Sequence, residues 1–357
     1  MRYEIKMKGW KEAIFDEKGN MISPEWFDYI YLDGLLKEES DYYVAKKDKK
    51  FAIFDKNGNQ ITPEWFKEIT IDGLIKGESK YYIVRKGNKY AIFDKDGRKI
   101  SYWCDYIYKD GLVKGESDYY LAEKDGKWAI FDKDGKRISE WYDYVSLSGL
   151  VKGQSPYYLV KGENPYYTLG QAWFKYVIFD VNGNRITEWF DKIWADGLVE
   201  GESNLYIVEK NGKKAIFDIN GNQITKEWFD RIERDGLVRG ESNYYLARKD
   251  GKDAIFDKDG NQITQWYDWI YENGLVKGEC DYYIACNGNT CAVYHKNGKK
   301  FSNEFSLEDI LAVKKINFNE ILGIAELFDG SGNLIKSVDF IYPFKEEIID
   351  YTKLLNI

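Results

Sequence analysis

Gly126-Lys127-Trp128-Ala129-Ile130-Phe131-Asp132-Lys133-Asp134-Gly135-Lys136 sets two large apolar residues, Ile130 and Phe131, side by side between two glycine-bearing turns. Neighbouring residues of a strand point to opposite faces, so this strand is apolar on both, and its sheet must be covered on both sides. Asp125-Gly126 and Asp134-Gly135 each carry the two-residue signal of a type I′ hairpin, whose positive φ angles Asp and Gly tolerate. Four short strands follow from this punctuation: Tyr119 to Lys124, Trp128 to Asp132, Lys136 to Ser139 and Trp141 to Ser146. The first three read as a meander. The longer link Asp110-Gly111-Leu112-Val113-Lys114-Gly115-Glu116-Ser117 recurs almost unchanged and reads as the crossing from one unit to the next.

The stretch is one of a series. Ala-Ile-Phe-Asp starts at Ala13, Ala52, Ala91, Ala129, Ala215 and Ala254, with variants at Val177 and Ala292, in steps of 39, 39, 38, 48, 38, 39 and 38 residues. A tryptophan closes each of seven regular copies: Trp26, Trp65, Trp103, Trp141, Trp189, Trp228 and Trp266. From it to the next copy is always 26 residues, except for 36 after Trp141, a ten-residue insertion. A unit of about 40 residues and four strands, covered on both faces by its neighbours, predicts an all-β tandem array of four-stranded antiparallel units, β-propeller-like, with an open β-solenoid as the alternative. Residues 1–310 form about eight such units. Residues 311–357 hold a worn further copy around Leu327 to Ile335, then a short C-terminal helix over Glu346 to Leu355, spaced by Ile348, Ile349, Thr352 and Leu355, that caps the array.

Composition narrows the function. Aromatic residues at 17% and a hydrophobic set at 44% supply a large core and argue against disorder. Fifty-two Lys plus Arg against 60 Asp plus Glu leave a net charge of -8, which repels a phosphate backbone, so direct nucleic-acid binding is not expected. Met1 to Lys6 lacks the apolar core of a secretory signal and no apolar run reaches membrane-spanning length, so a cytoplasmic protein with no membrane partner is expected. Four cysteines make no disulfide framework; Cys280, Cys286 and Cys291 crowd into one divergent copy and read as reduced thiols.

The units resemble the bacterial WG (KWG) repeat family, over about residues 10 to 300, through Gly126 to Lys136, Trp141-Tyr142-Asp143-Tyr144 and Asp110-Gly111-Leu112-Val113. They depart from it in Ala129, where the family has glycine, and in replacing Trp128 by Phe51, Tyr90, Lys214 and Asp253 in other copies. The resemblance implies a repeat scaffold working beside other bacterial systems, with no catalytic residue to carry over. A weaker likeness, to choline-binding cell-wall repeats, pairs Gly-Lys-Trp with aromatic-Asp turns, but those units are about half as long and secreted.

Candidate chemistry is sparse. The Asp-x-Asp/Asn-Gly turns, such as Asp132 to Gly135 and Asp257 to Gly260, lack the spaced ligands and closing Glu of a calcium loop, and turn chemistry explains them. The zinc-like set Cys280, Cys286, Cys291 and His295 fails on reach, because four residues of strand span about 13 Å. With one histidine, nucleophilic triads have no base. Glu78, Glu116, Glu202, Glu241 and Glu279 recur in the crossing loop and read as holding unit to unit. No catalytic residue, metal or cofactor is expected.

Sites in a repeat array are sought where copies differ. Flanking the constant Ile or Val of the fourth strand, one position runs Tyr29, Glu68, Tyr106, Tyr144, Lys192, Arg231, Trp269 and the other Tyr31, Thr70, Tyr108, Ser146, Trp194, Glu233, Tyr271. Two apart on a strand, they share the face opposite that isoleucine. Tyr29, Tyr31, Tyr106, Tyr108, Tyr144, Trp194, Arg231, Trp269 and Tyr271, with Pro165, Tyr166 and Tyr167 of the insertion, are therefore the expected contacts of a macromolecular partner. The expectation is a non-enzymatic scaffold for a protein partner. A glycan or cell-wall binder is the alternative, and a metal-dependent hydrolase a remoter one.

Overall fold

The computed structural model describes residues 3–163, 174–271, 273–311, 313, 315–319 and 322–340. β1 (Tyr3–Lys8) and β2 (Lys11–Asp16) form a two-stranded antiparallel sheet. β3 (Tyr29–Ile30), β4 (Tyr42–Lys47) and β5 (Lys50–Asp55) form the next, in that order. The same short-long-long pattern then repeats through the hairpin Tyr282–Asn287/Thr290–His295. The chain is thus an all-β tandem array of small antiparallel sheets.

The two-faced strand behaves as its sequence demands. Ile130 joins the apolar cluster of Val145, Leu150, Tyr158 and Val177, whereas Phe131 joins that of Tyr81, Cys104, Leu112 and Tyr120. That sheet is thereby packed on both faces, and each such buried side chain contributes about 1.5–3 kcal/mol.

Two turns of one copy differ. At Asp125-Gly126 both residues have positive φ, 54° and 75°, as a type I′ turn requires. At the second turn only Gly135 is positive, 81°, and the Asp132 carboxylate accepts the N–H groups of Asp134 (3.0 Å) and Lys136 (2.9 Å). That is an Asx-type turn and not the second type I′ hairpin expected.

The tryptophan segment also departs from expectation. Trp141 to Ser146 is not one strand. Tyr142 pairs back with Trp128 of its own copy, while Tyr144–Val145 pairs forward with Lys161 and Val160 of the following hairpin. The residue at the switch explains the jump: Asp105, in the same position one copy earlier, accepts the N–H of Asp125 at the turn of the next hairpin (2.9 Å), as Asp28 does for Asp48 (2.8 Å). Each sheet therefore combines strands of two successive copies, and the crossing lies at this aspartate. The Asp-Gly-Leu loop does something else. Glu116 closes its own loop by accepting the Gly111 N–H (2.8 Å), which corrects the unit-to-unit role expected for the repeated glutamates. The serine after it bridges units: Ser117 Oγ donates to the Val151 carbonyl (2.6 Å), as Ser79 does to Val113 (2.6 Å).

The chain divides into two compact units, Met1–Trp189 and Phe190–Ile357. In the second, Lys315–Asn319, Ile324–Phe328 and Leu334–Asp339 form a sheet whose Ala325, Leu327 and Val338 pack with Ile284 and Val293. It keeps the repeat's turn, with Asp329 accepting the Asn333 N–H (2.8 Å). A five-residue helix, Leu307–Leu311, precedes it. The helix expected over Glu346 to Leu355 lies outside the described residues. Among those described, no helix is long and apolar enough to cross a membrane.

The cysteine expectation fails at one pair. Cys286 and Cys291 face each other across a hairpin and form a disulfide, not reduced thiols. Five residues apart around a two-residue turn, they fall directly opposite, where antiparallel side chains come closest. Cys104 and Cys280 take part in no disulfide.

Candidate functional site

The variable positions lie at the hairpin end of each sheet, where cross-strand partners form a row. In one sheet the row runs Tyr29, Lys46, Phe51, Phe66; two sheets on it runs Tyr106, Glu123, Trp128, Tyr142. The period-two expectation holds for the first position: Tyr29, Tyr106 and Tyr144 are 43%, 43% and 46% exposed, while the adjacent Ile30, Ile107 and Val145 are buried. Glu68 takes this place in the intervening sheet.

The second position is different. Tyr31 packs against the cluster of Phe66, Ile69 and Tyr82, and Tyr108 against that of Leu121 and Val145, because the following sheet covers them. Burial pushes the Tyr108 hydroxyl above its ordinary pKa. These rings serve as edge-on supports, Tyr31 at 5.1 Å from Tyr29 and Tyr108 at 5.2 Å from Tyr106. Trp194 is partly buried and carries two of the chain's own cations, Lys192 Nζ at 4.8 Å and Lys214 Nζ at 5.4 Å from its ring centre. The Tyr271 hydroxyl donates to the Val313 carbonyl (3.2 Å) and packs into the core of the last sheets. Tyr31, Tyr108, Trp194 and Tyr271 thus stand half-buried against the chain's own side chains, less open than Tyr29, Tyr106 and Tyr144.

Arg231 and Trp269 line a hollow of about 220 Å³ with Arg248 and Asp253. The buried Asp253 carboxylate there takes a two-pronged contact from Arg248, 2.7 and 3.0 Å. Arg231 itself is paired with Glu233. Pro165, Tyr166 and Tyr167 of the insertion lie outside the described residues. The strands flanking that insertion, Tyr157–Glu163 and Phe174–Asp180, are each one residue longer than the usual six.

The remaining candidates have internal partners. Asp55 Oδ1 accepts the N–H groups of Asn57 (2.9 Å) and Asn59 (2.8 Å), and Oδ2 accepts the Asn59 side-chain amide (2.9 Å); Asp218 and Asp257 repeat the pattern. Cys291 is tied up in the disulfide, and His295 lies 4.0 Å from Asp281. Among the described residues, Asp196, Glu200 and Glu202 are the one group of three carboxylates close enough to share a cation. Asp196 already receives Arg234 (3.0 Å) and Arg239 (2.9 Å).

The turn carboxylates make stability pH-dependent. Hydrogen bonds from Asn20 hold Asp16 below the ordinary carboxylate range, and those from Asn333 do the same for Asp329. At Asp55 and Asp218 burial pushes upward, yet the hydrogen bonds of Asn59 and Asn222 outweigh it, and both are lowered. A lowered folded pKa gives stability that is fully present above the unfolded value, about 4, and is lost as pH falls through the folded one. The urea midpoint therefore falls steadily below about pH 4, and falls less steeply with pH in a chain carrying Asp55→Asn and Asp218→Asn.

No family model matches the sequence, and no curated protein does. Among solved structures, the chain aligns over 94% of its length with 95% of a eukaryotic initiation factor, at 9% identity and a TM-score of 0.35. It aligns over 85% with 96% of Kluyveromyces lactis Hsv2, at 12% and 0.28, and over 74% with 91% of the AfRom2 CNH domain, at 8% and 0.27. Those chains are β-propellers.

Proposed function

We propose that this chain is a non-enzymatic repeat scaffold that binds a protein partner along the row of exposed first-position side chains. One observation carries this: Tyr29, Tyr106 and Tyr144 occupy the same strand position in sheets of one compact unit, half-exposed beside a buried aliphatic residue and, for the first two, braced by a second ring. Tyrosine held rigidly at a surface offers large contact area at little entropic cost, which is why it anchors protein interfaces. In the other unit the same position holds Lys192, Arg231 and Trp269, so the row varies in charge from copy to copy while its backbone does not. The likeness of the units to WG repeats belongs to the same proposal.

The test is affinity capture from a host lysate with the intact chain and with a Tyr29→Ser, Tyr106→Ser, Tyr144→Ser triple variant of matched Tm. A stoichiometric protein held by the intact chain and lost by the triple variant is expected. A partner kept by both, or no protein held by either, overturns the proposal.

A further inference from the structure

Six of the seven regular copies place an aromatic ring directly after the tryptophan: Phe27, Phe66, Tyr142, Phe190, Phe229 and Tyr267. The third copy has Cys104. Wherever the ring is present it packs on the following copy's second strand, and Phe27 and Phe229 also meet that copy's tryptophan. Phe27 lies 5.1 Å from Phe54 and 5.9 Å from Trp65; Phe66 lies 5.6 Å from Phe93; Phe229 lies 5.1 Å from Phe256 and 6.5 Å from Trp266. Where Cys104 stands, a recess of about 500 Å³ opens instead, walled by Phe131 and Trp141 of the following copy and by Trp103.

The residue before the tryptophan departs in the same copy. Elsewhere it is Glu25, Glu64, Glu140, Glu188, Glu227 or Gln265; here it is Tyr102, 74% exposed. Three of those glutamates bind the last lysine of the following copy's first long strand: Glu25 with Lys47 (2.5 Å), Glu64 with Lys86 (2.7 Å) and Glu227 with Lys249. The equivalent lysine in the copy that follows Tyr102 is Lys124. It lines the recess and, among the described residues, forms no ion pair. A second cation, Arg137, lines the recess and pairs with the exposed Glu140 (3.0 Å).

One opening thus lacks both a ring and a carboxylate that other copies supply. We propose that this recess is a binding pocket for a segment of a protein partner that supplies the two missing groups, an aromatic ring packed against the edge-on pair of Phe131 and Trp141 (5.9 Å) and a carboxylate on Lys124. The inference rests on the protein-binding reading above and names the chemistry of what is bound. A ring entering an aromatic-walled gap recovers both apolar burial and edge-to-face contacts, and a carboxylate meeting an unpaired ammonium makes a charge-assisted hydrogen bond. The volume lies within the range of ligand pockets. The two groups need not be adjacent. A residue two along an extended strand shares its face, so an acidic residue, any residue, then phenylalanine presents both together. Cys104 takes no chemical part: burial pushes its thiol up to about 11, which leaves it a small apolar wall and not a thiolate nucleophile.

The test titrates the full chain with the peptide acetyl-Glu-Ala-Phe-amide up to about 5 mM, the range of a weak isolated anchor, following the indole N–H signals of Trp103 and Trp141. Saturable shifts of both are expected, with at least about tenfold weaker binding when the peptide's Glu is replaced by Gln or its Phe by Ala, a loss of about 1.4 kcal/mol each. Cys104→Phe and Tyr102→Glu install the residues of the other copies, so both chains are expected to fold with equal or higher Tm and to lose the shifts. Absent shifts in the intact chain, or undiminished binding by the two variants, overturn the pocket. A lysate partner retained by the Cys104→Phe chain but lost with the tyrosine row also overturns the pocket and leaves the scaffold reading standing.

Discussion

Phe229→Ala destabilises the chain by about 3–5 kcal/mol, the cost of deleting a fully enclosed aromatic side chain from a core that cannot collapse around the gap. Phe229 is wholly buried. Its ring meets Phe256 at 5.1 Å and Trp266 at 6.5 Å, both from the following copy, while its backbone pairs with Lys214 of its own. The substitution therefore removes an aromatic contact between two successive copies without touching a hydrogen bond. Urea unfolding checks it: the midpoint falls with the slope unchanged, and a loss under about 1.5 kcal/mol would show that the sheets repack freely. Cys104 is the natural comparison, since that copy survives with the ring absent. Its neighbours Phe131 and Trp141 are left holding open space, so the array tolerates the cost once.

Gly111→Ala costs about 2–4 kcal/mol, for a reason that has nothing to do with the core. Its φ is +81°, and a methyl there would sit 2.4 Å from the Tyr119 carbonyl oxygen and 2.6 Å from that of Val151. The left-handed backbone accounts for about 1 kcal/mol, and forcing two loop backbones apart adds about 1–3 kcal/mol. Gly126→Ala is the control, with φ +75° but nothing within 4 Å, and is expected to lose only about 1 kcal/mol. Equal losses at the two positions, read from urea midpoints, would remove the close approach of successive loops from the account.

Much of this was legible in the sequence because the constraint was local. Adjacent Ile130 and Phe131 announce a strand buried on both faces, and they do enter different clusters. The alternation around Ile30 and Ile107 places Tyr29 and Tyr106 outward, as found. What stayed hidden depends on groups far along the chain. The strand exchange at Asp105 turns on an N–H twenty residues away, at Asp125. The covering of Tyr31 and Tyr108 is provided by the next sheet, so strand periodicity alone could not separate them from Tyr29 and Tyr106. The Cys286–Cys291 pair was within reach, since a two-residue turn sets the two directly opposite as a cross-strand pair. The recess at Cys104 was legible as well: Tyr102-Trp103-Cys104 against Glu64-Trp65-Phe66 shows both departures.

The most direct test of the proposed scaffold is amide hydrogen exchange on the intact chain with and without its captured partner. Slowed exchange confined to the segments bearing Tyr29, Tyr106 and Tyr144, together with residues 102–104, is the predicted result. Slowing only in the loops that carry Gly73, Gly111 and Gly149, with those segments unchanged, would contradict it.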